Sequence, residues 1–199
     1  MEKNVLVTAF EPFGGEDVNA SLAAVAALPD RIGSAVIRKA TLPVVFGEAT
    51  RLALEAAEAA GAELILCIGQ AAGRAAVTPE AVAINLQYAS IPDNVGNAPK
   101  DQPCIPEGDA AYFATVPVRR MAEAIRETGC PAAVSLSAGA YVCNDLLYGL
   151  LHRLQGSRCR VGFIHVPVTP AQTEEGRPSL ETEKAVIALT AAIEAALEE

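Results

Sequence analysis

A cysteine thiol and a histidine imidazole can together open an acyl bond, and this chain has five residues of the first kind and only two of the second. Cys143 sits in "SAGAYVCN", where small residues and a short apolar run give way to the helical pattern "DLLYGLLHRL". A thiol at the first turn of a helix meets partial positive charge, which favours a thiolate. The free N–H groups of that turn can also hold an oxyanion. The other thiols are worse placed. Cys67 lies mid-strand among Leu and Ile, Cys130 between Gly129 and Pro131, and Cys104 in a proline-rich loop. Cys159 is flanked by Arg158 and Arg160 but precedes a strand, the wrong end for a site on top of a sheet. Cys143 keeps an ordinary reading beside the chemical one, because free cysteines are among the most buried residues.

A thiol nucleophile needs a base. His152 is nine residues beyond Cys143, a turn of roughly 900° and a rise of about 13 Å on a regular helix, so it faces away. His165 ends the strand-like "VGFIHVP" just before Pro167. If that strand neighbours the one leading to Cys143, as the short connection suggests, the imidazole stands where the Cys143 helix begins. A third group would orient the imidazole. Glu80 in "VTPEAV" is a candidate, and it has a plain alternative as first-turn acid of a helix capped by Thr78 with Pro79 at its first position.

Alternating strands and helices must position these groups. "NVLVTAF" (4–10) reads as a buried strand broken by Pro12, Gly14 and Gly15, and helical spacing follows from Val18 to Leu28 with Asn19 or Ser21 as cap. "SAVIRKATLPV" is a second strand, "GEATRLALEAAEAAG" a helix stopped at Gly61, and "AELILCIGQ" a buried strand. The state of "VTPEAVAINL" stays open. From Ala89 to Asp109 four prolines and two glycines mark a long loop. "VPVRRMAEAIRETG" is a helix, "AAVSLSAG" a strand, "CNDLLYGLLHRLQ" a helix and "RCRVGFIHV" a strand. A helix started by Pro178 and Ser179 runs to Glu198, with Val186, Leu189, Ile193 and Leu197 as its stripe. The expectation is one α/β domain over 1–199, a three-layer α/β/α sandwich with a mostly parallel central sheet and helices on both faces.

Composition narrows the function classes. A hydrophobic share of 51% with 5% aromatics suits a sheet covered on both faces. A net charge of −9 argues against nucleic acid or an anionic membrane as partner. A strand-like run within a few residues of Met1 argues against a signal peptide. No stretch reaches the roughly 20 apolar residues of a membrane span. An odd cysteine count without CxxC spacing argues against a disulfide framework or zinc ribbon.

"VLVTAFEPFGG", "GQAAGR", "VTPEAVAINL", "IPDNVGNAP", "SAGAYVCN", "YGLLH" and "GFIHVP" occur in this order from about Val5 to Gln172. Together they closely resemble the pyroglutamyl peptidase type I family, also called pyrrolidone-carboxylate peptidases. The resemblance implies a cytoplasmic cysteine peptidase, often a homotetramer and without a cofactor, that removes N-terminal pyroglutamate from peptides. It places the nucleophile on Cys143, the histidine on His165 and the acid on Glu80. It also implies a lactam pocket: Phe10 and Phe13 resemble a ring-sandwiching pair, Gln70 falls in an active-site segment, and Ile91, Tyr141 and Val142 fall on apolar walls. A neutral lactam suits an apolar pocket with one or two amide partners. Where the family usually has an arginine just before "IPDN" this chain has Ser90, and any part that charge plays in anchoring the acid or polarising the site is absent with it. Two other readings are a lactam-binding homologue with little turnover, and a phosphorylase or nucleosidase holding phosphate on "EPFGG". The second lacks the lysine of a phosphate-binding P-loop.

Overall fold

The computed structural model describes residues 3–198. Its strands are β1 (Lys3–Phe10), β2 (Arg31–Ile32), β3 (Ala35–Leu42), β4 (Leu64–Gln70), β5 (Thr78–Pro79), β6 (Val82–Ile84), β7 (Ala111–Phe113) and β8 (Arg160–Val166). Its α-helices are α1 (Ala20–Ala27), α2 (Glu48–Ala60), α3 (Val118–Glu127), α4 (Val142–Arg153) and α5 (Thr182–Leu197). Six strands form one sheet in the order β2-β3-β1-β4-β8-β5, and β6 and β7 form a separate antiparallel pair. The inner pairings β3–β1, β1–β4 and β4–β8 are parallel, while β2 and β5 close the two edges antiparallel.

The central strands β1, β4 and β8 are buried on both faces, and residue parity divides their side chains between two cores. Val5, Val7 and Ala9 of β1, Leu64, Leu66 and Ile68 of β4, and Ile164 and Val166 of β8 share a core with α1, α3 and α5. Leu6 and Phe10, Ile65 and Cys67, and Val161 and Phe163 share the other with α2 and α4. This is the expected three-layer arrangement. Parity also assigns His165 to the side of Val161 and Phe163, which is the side α4 covers.

Local chemistry sets the element ends. The Asn19 side chain caps α1 by accepting from the Ser21 N–H at 3.0 Å. Gly61 ends α2 in the left-handed region, at φ 57°. Helix α5 starts later than Pro178 and Ser179 suggest, because Leu180 is buried and its N–H is bonded to Val168 O at 2.9 Å.

The segment "AAVSLSAG" departs from expectation. It lies parallel to Val77–Ala81 but joins it only through the isolated bridges Val77–Ala132 and Glu80–Ser135. Backbone bonds run from Val77 N to Pro131 O, Ala133 N to Val77 O, Ser135 N to Pro79 O and Ala81 N to Ser135 O. The missing rung is the one Pro79 would donate, and proline has no N–H. The strand before Cys143 is therefore not a neighbour of the His165 strand: β5 lies between them and brings Glu80 with it.

Candidate active site

Thr78 pairs with His165 across the antiparallel β5–β8 edge, and the Glu80 N–H continues that edge by donating to Phe163 O at 2.9 Å. Opposed residues in such a pair point to one face, as do residues two apart on one strand. Thr78, Glu80 and His165 therefore all face α4. The Glu80 carboxylate is completely buried, and its Oε1 lies 2.7 Å from His165 Nδ1. Glu80 is thus at a strand end, not in the first turn of a helix.

Burial alone would raise the pKa of Glu80, but the His165 hydrogen bond and charge, the Ser135 hydroxyl and the Arg74 charge together hold it below the ordinary carboxylate value. Glu80 is an anion that accepts, so His165 Nδ1 carries the proton and Nε2 remains as the basic nitrogen. Burial also pushes the His165 pKa down, helped by the Arg74 charge and opposed by Glu80. The resting imidazole is neutral. Glu80 does favour the cation, as expected from sequence, but desolvation outweighs it.

Room for this imidazole comes from β4. Gly69 is the register partner of His165, and a Cβ at that position would stand 2.7 Å from Phe163 Cζ and 3.1 Å from His165 Cδ2. Any side chain there would displace the ring pair Phe163–His165, whose centroids are 4.7 Å apart.

Cys143 is the second residue of α4, half-buried, against the core that contains Cys67, Phe10 and Phe163. Tyr141, at the N-cap, supplies no side-chain cap. The first intrahelical bond runs from Asp145 N to Tyr141 O, so the N–H groups of Cys143 and Asn144 are not used in the helix ladder. The next two side chains lock this turn in place. Asn144 accepts from Ile84 N at 2.9 Å and donates to Ile84 O and Leu86 O, while Asp145 accepts from Gly47 N and Gln87 Nε2. These anchors escaped sequence reading, although a buried Asn-Asp pair directly after a candidate nucleophile was the visible signal.

The thiol itself differs from expectation. Burial, then the negative charge of Glu80 and the nearby Cys67, push Cys143 up to about 12, with Arg74 opposing. The helix N-terminus does not outweigh desolvation, so the resting group is a thiol. Burial likewise pushes Cys67 up to about 12. His152 is engaged elsewhere, with Nδ1 3.0 Å from the Tyr112 hydroxyl and its ring stacked on Tyr148.

The expected pocket residues fall into two tiers. Phe10 and Val142 are buried, Phe10 with its ring 6.4 Å from that of Phe163. Phe13 and Tyr141 are half-buried with centroids 6.3 Å apart, and Tyr141 also meets Phe46 edge-on at 5.3 Å. Ile91 is 43% exposed beside the Gly14 turn, and the Tyr141 hydroxyl donates to the adjoining Pro92 O at 3.0 Å. Gln70, at the end of β4, has its Oε1 committed to Ala20 N at 2.7 Å and Gln172 Nε2 at 2.8 Å. That oxygen caps α1, a duty unseen from sequence. Ser90 is exposed, and the cation that touches the acid is Arg74, from the turn after β4.

Thiol, imidazole and buried carboxylate on one sheet face, beside a helix mouth with spare N–H groups, form an arrangement able to transfer acyl groups. A profile of the pyroglutamyl peptidase family matches residues 3–199. A pyrrolidone-carboxylate peptidase of Yersinia pestis (strain Pestoides F) is 47% identical over 201 residues, covering 98% of this chain and 94% of its own. The crystal structure of pyroglutamyl peptidase I from Bacillus amyloliquefaciens superposes with a TM-score of 0.94 at 43% identity, over 100% of this chain and 97% of that one. Pyrrolidone carboxyl peptidase from Thermococcus litoralis superposes with a TM-score of 0.93 at 35% identity, over 98% of this chain and 94% of that one.

Proposed function

Because the chain belongs to the pyroglutamyl peptidase family, we propose that it removes N-terminal pyroglutamate from peptides by acyl transfer through Cys143, His165 and Glu80. The observation that carries this assignment of roles is the buried Glu80 Oε1–His165 Nδ1 contact on the sheet face covered by the Cys143 helix. The comparisons lend no support to a phosphorylase or to a homologue that only binds lactams.

The resting protonation states set the order of steps. His165 Nε2 takes the Cys143 proton as the thiolate attacks the pyroglutamyl carbonyl carbon. The N–H of Cys143 and a neighbouring N–H of the same turn hold the oxyanion. The imidazolium, now paired with anionic Glu80, gives its proton to the leaving amine as the C–N bond breaks. Water then adds to the thioester, with His165 again as base, releasing pyroglutamate and restoring the thiol. Phe10, Phe13, Ile91, Tyr141 and Val142 would line an apolar cavity for a neutral ring. Gln70, expected there too, alternates onto the α1 face with Leu64, Leu66 and Ile68 and has its oxygen held by Ala20 N and Gln172 Nε2.

We assign the whole chain to one catalytic domain, acting in the cytoplasm as the homotetramer that the resemblance implies. Among the described residues no helix is long and apolar enough to cross a membrane. Assembly would cover apolar side chains such as Phe113 and Leu136, which the isolated chain leaves exposed.

The pH dependence tests the mechanism. A neutral lactam has no titrating group, so the acid limb of kcat/KM reports the enzyme. The base must be unprotonated, and burial lowers the His165 pKa. Activity is therefore expected to persist as pH falls through the ordinary histidine value of about 6.5 and to decline only below it. A profile for release of a pyroglutamyl coumarylamide whose acid limb lies at or above pH ~7 would contradict a neutral resting base.

A further inference from the structure

We propose that Arg74 is a positioning residue of the catalytic set: its guanidinium holds the Glu80 carboxylate against His165 and ties both to the segment leading into Cys143. The proposal rests on the peptidase reading above and goes beyond it.

Arg74 belongs to the "AAGR" turn that follows β4, where its N–H bonds to Ala71 O at 3.3 Å. Its Nη1 reaches Glu80 Oε1 at 2.6 Å and also donates to the Thr78 hydroxyl. Its Nη2 donates to Ser137 O at 3.1 Å. One planar fork therefore makes three contacts on two segments: Thr78 of β5 with Glu80 just beyond it, and the Ser137 carbonyl six residues before Cys143. Lysine has no such fork. The Arg74 side chain is 29% exposed while Glu80 is fully buried, so the pair is shielded from the screening that weakens surface ion pairs. Both strong donors, Arg74 Nη1 and His165 Nδ1, converge on Oε1, while Oε2 is buried with no hydrogen-bond partner of its own and the Ser135 hydroxyl donates to Ser137 O.

Two consequences follow. First, the carboxylate cannot rotate away from the imidazole without breaking the Arg74 bond. Second, Arg74 places a fixed positive charge next to a base that must be neutral to act. The titratable groups around the imidazole are Glu80 and Arg74, with Cys143 on α4 and Cys67 on β4 completing the cluster. Removing the guanidinium leaves Glu80 acting on His165 alone, so the imidazole becomes easier to protonate.

The test compares wild type with Arg74→Met and Arg74→Lys. The chain has only two histidines, so imidazole signals in a histidine-labelled sample can be assigned with a His152→Gln control and titrated by NMR without any turnover. In Arg74→Met the His165 midpoint is expected to rise by about half a pH unit or more, and the acid limb of kcat/KM to move up with it. The value of kcat is expected to fall about 10- to 100-fold with little change in KM, because orientation is lost and the lactam pocket is untouched. Arg74→Lys keeps the charge without the fork: the His165 midpoint should return most of the way to wild type while kcat recovers only in part. If Arg74→Met does not fold, the same two readouts on Arg74→Lys decide, with a reduced kcat and a near-native midpoint expected. An unchanged midpoint in Arg74→Met, or full kcat in Arg74→Lys, would overturn the proposal. An inactive wild type that still shows the midpoint shift would instead count against the peptidase reading.

Discussion

Cys143→Ser is expected to reduce kcat/KM for a pyroglutamyl coumarylamide by 10³-fold or more, equivalent to about 4 kcal/mol of lost transition-state stabilisation. The hydroxyl is slightly smaller than the thiol and fits the same half-buried place at the mouth of α4, so the fold and the pocket should survive. Its proton is far harder to remove. The site is already demanding in this respect, since burial and the Glu80 charge hold even the thiol up at about 12. On the proposed mechanism His165 is a neutral base for a neutral nucleophile, and the balance tolerates no further rise in nucleophile pKa. Binding of free pyroglutamate, measured by calorimetry, should persist in the variant. Comparable rates for variant and wild type would remove Cys143 from the mechanism.

Glu80→Gln is expected to lower kcat by about 10²- to 10⁴-fold at nearly constant KM. An amide fits the space but changes two things at once. It can present N–H to His165 Nδ1, which places the imidazole proton on Nε2, the nitrogen that must accept from Cys143. It also removes the anion that balances the imidazolium after proton transfer, and it strips Arg74 of its partner 2.6 Å away. Rates at several pH values separate these effects from simple unfolding, because a wrong tautomer cannot be corrected at any pH. A loss smaller than about threefold would show that the carboxylate neither orients nor neutralises the base.

Much of the site was legible from residue type and period. The position of Cys143 after an apolar run and before a helical pattern placed it at a helix mouth, and nine residues of helix excluded His152. The strand "VGFIHVP" puts His165 on the α4 face by alternation alone, given that Phe163 packs there. The link from one strand to the other was not legible. The expected pairing of the two strands is replaced by β5, a two-residue strand whose proline breaks the ladder to "AAVSLSAG". Short strands with an interrupted ladder leave too little periodicity to read. Glu80 was ambiguous for the same reason, since Thr-Pro-Glu also opens helices. Arg74 lay hidden because its role depends on how a turn folds back onto Thr78 and Glu80 and meets Ser137, 63 residues further on. Charge states were the least accessible. A helix N-terminus suggests a thiolate, and only the packed structure shows that desolvation outweighs it.

On the proposed mechanism, Cys143 Sγ attacks the pyroglutamyl carbonyl carbon with His165 as its base. A pyroglutamyl chloromethyl ketone tests it most directly, because the reagent is delivered by the lactam pocket and alkylates whatever thiol the site presents. Peptide mapping by mass spectrometry after inactivation is predicted to find one label per chain, on Cys143, with activity falling in step with labelling and free pyroglutamate protecting. Iodoacetamide, which the pocket does not bind, should react far more slowly at neutral pH because the resting group is a thiol. Inactivation with the label on Cys67, Cys104, Cys130 or Cys159, or full activity after Cys143 is labelled, would contradict the claim.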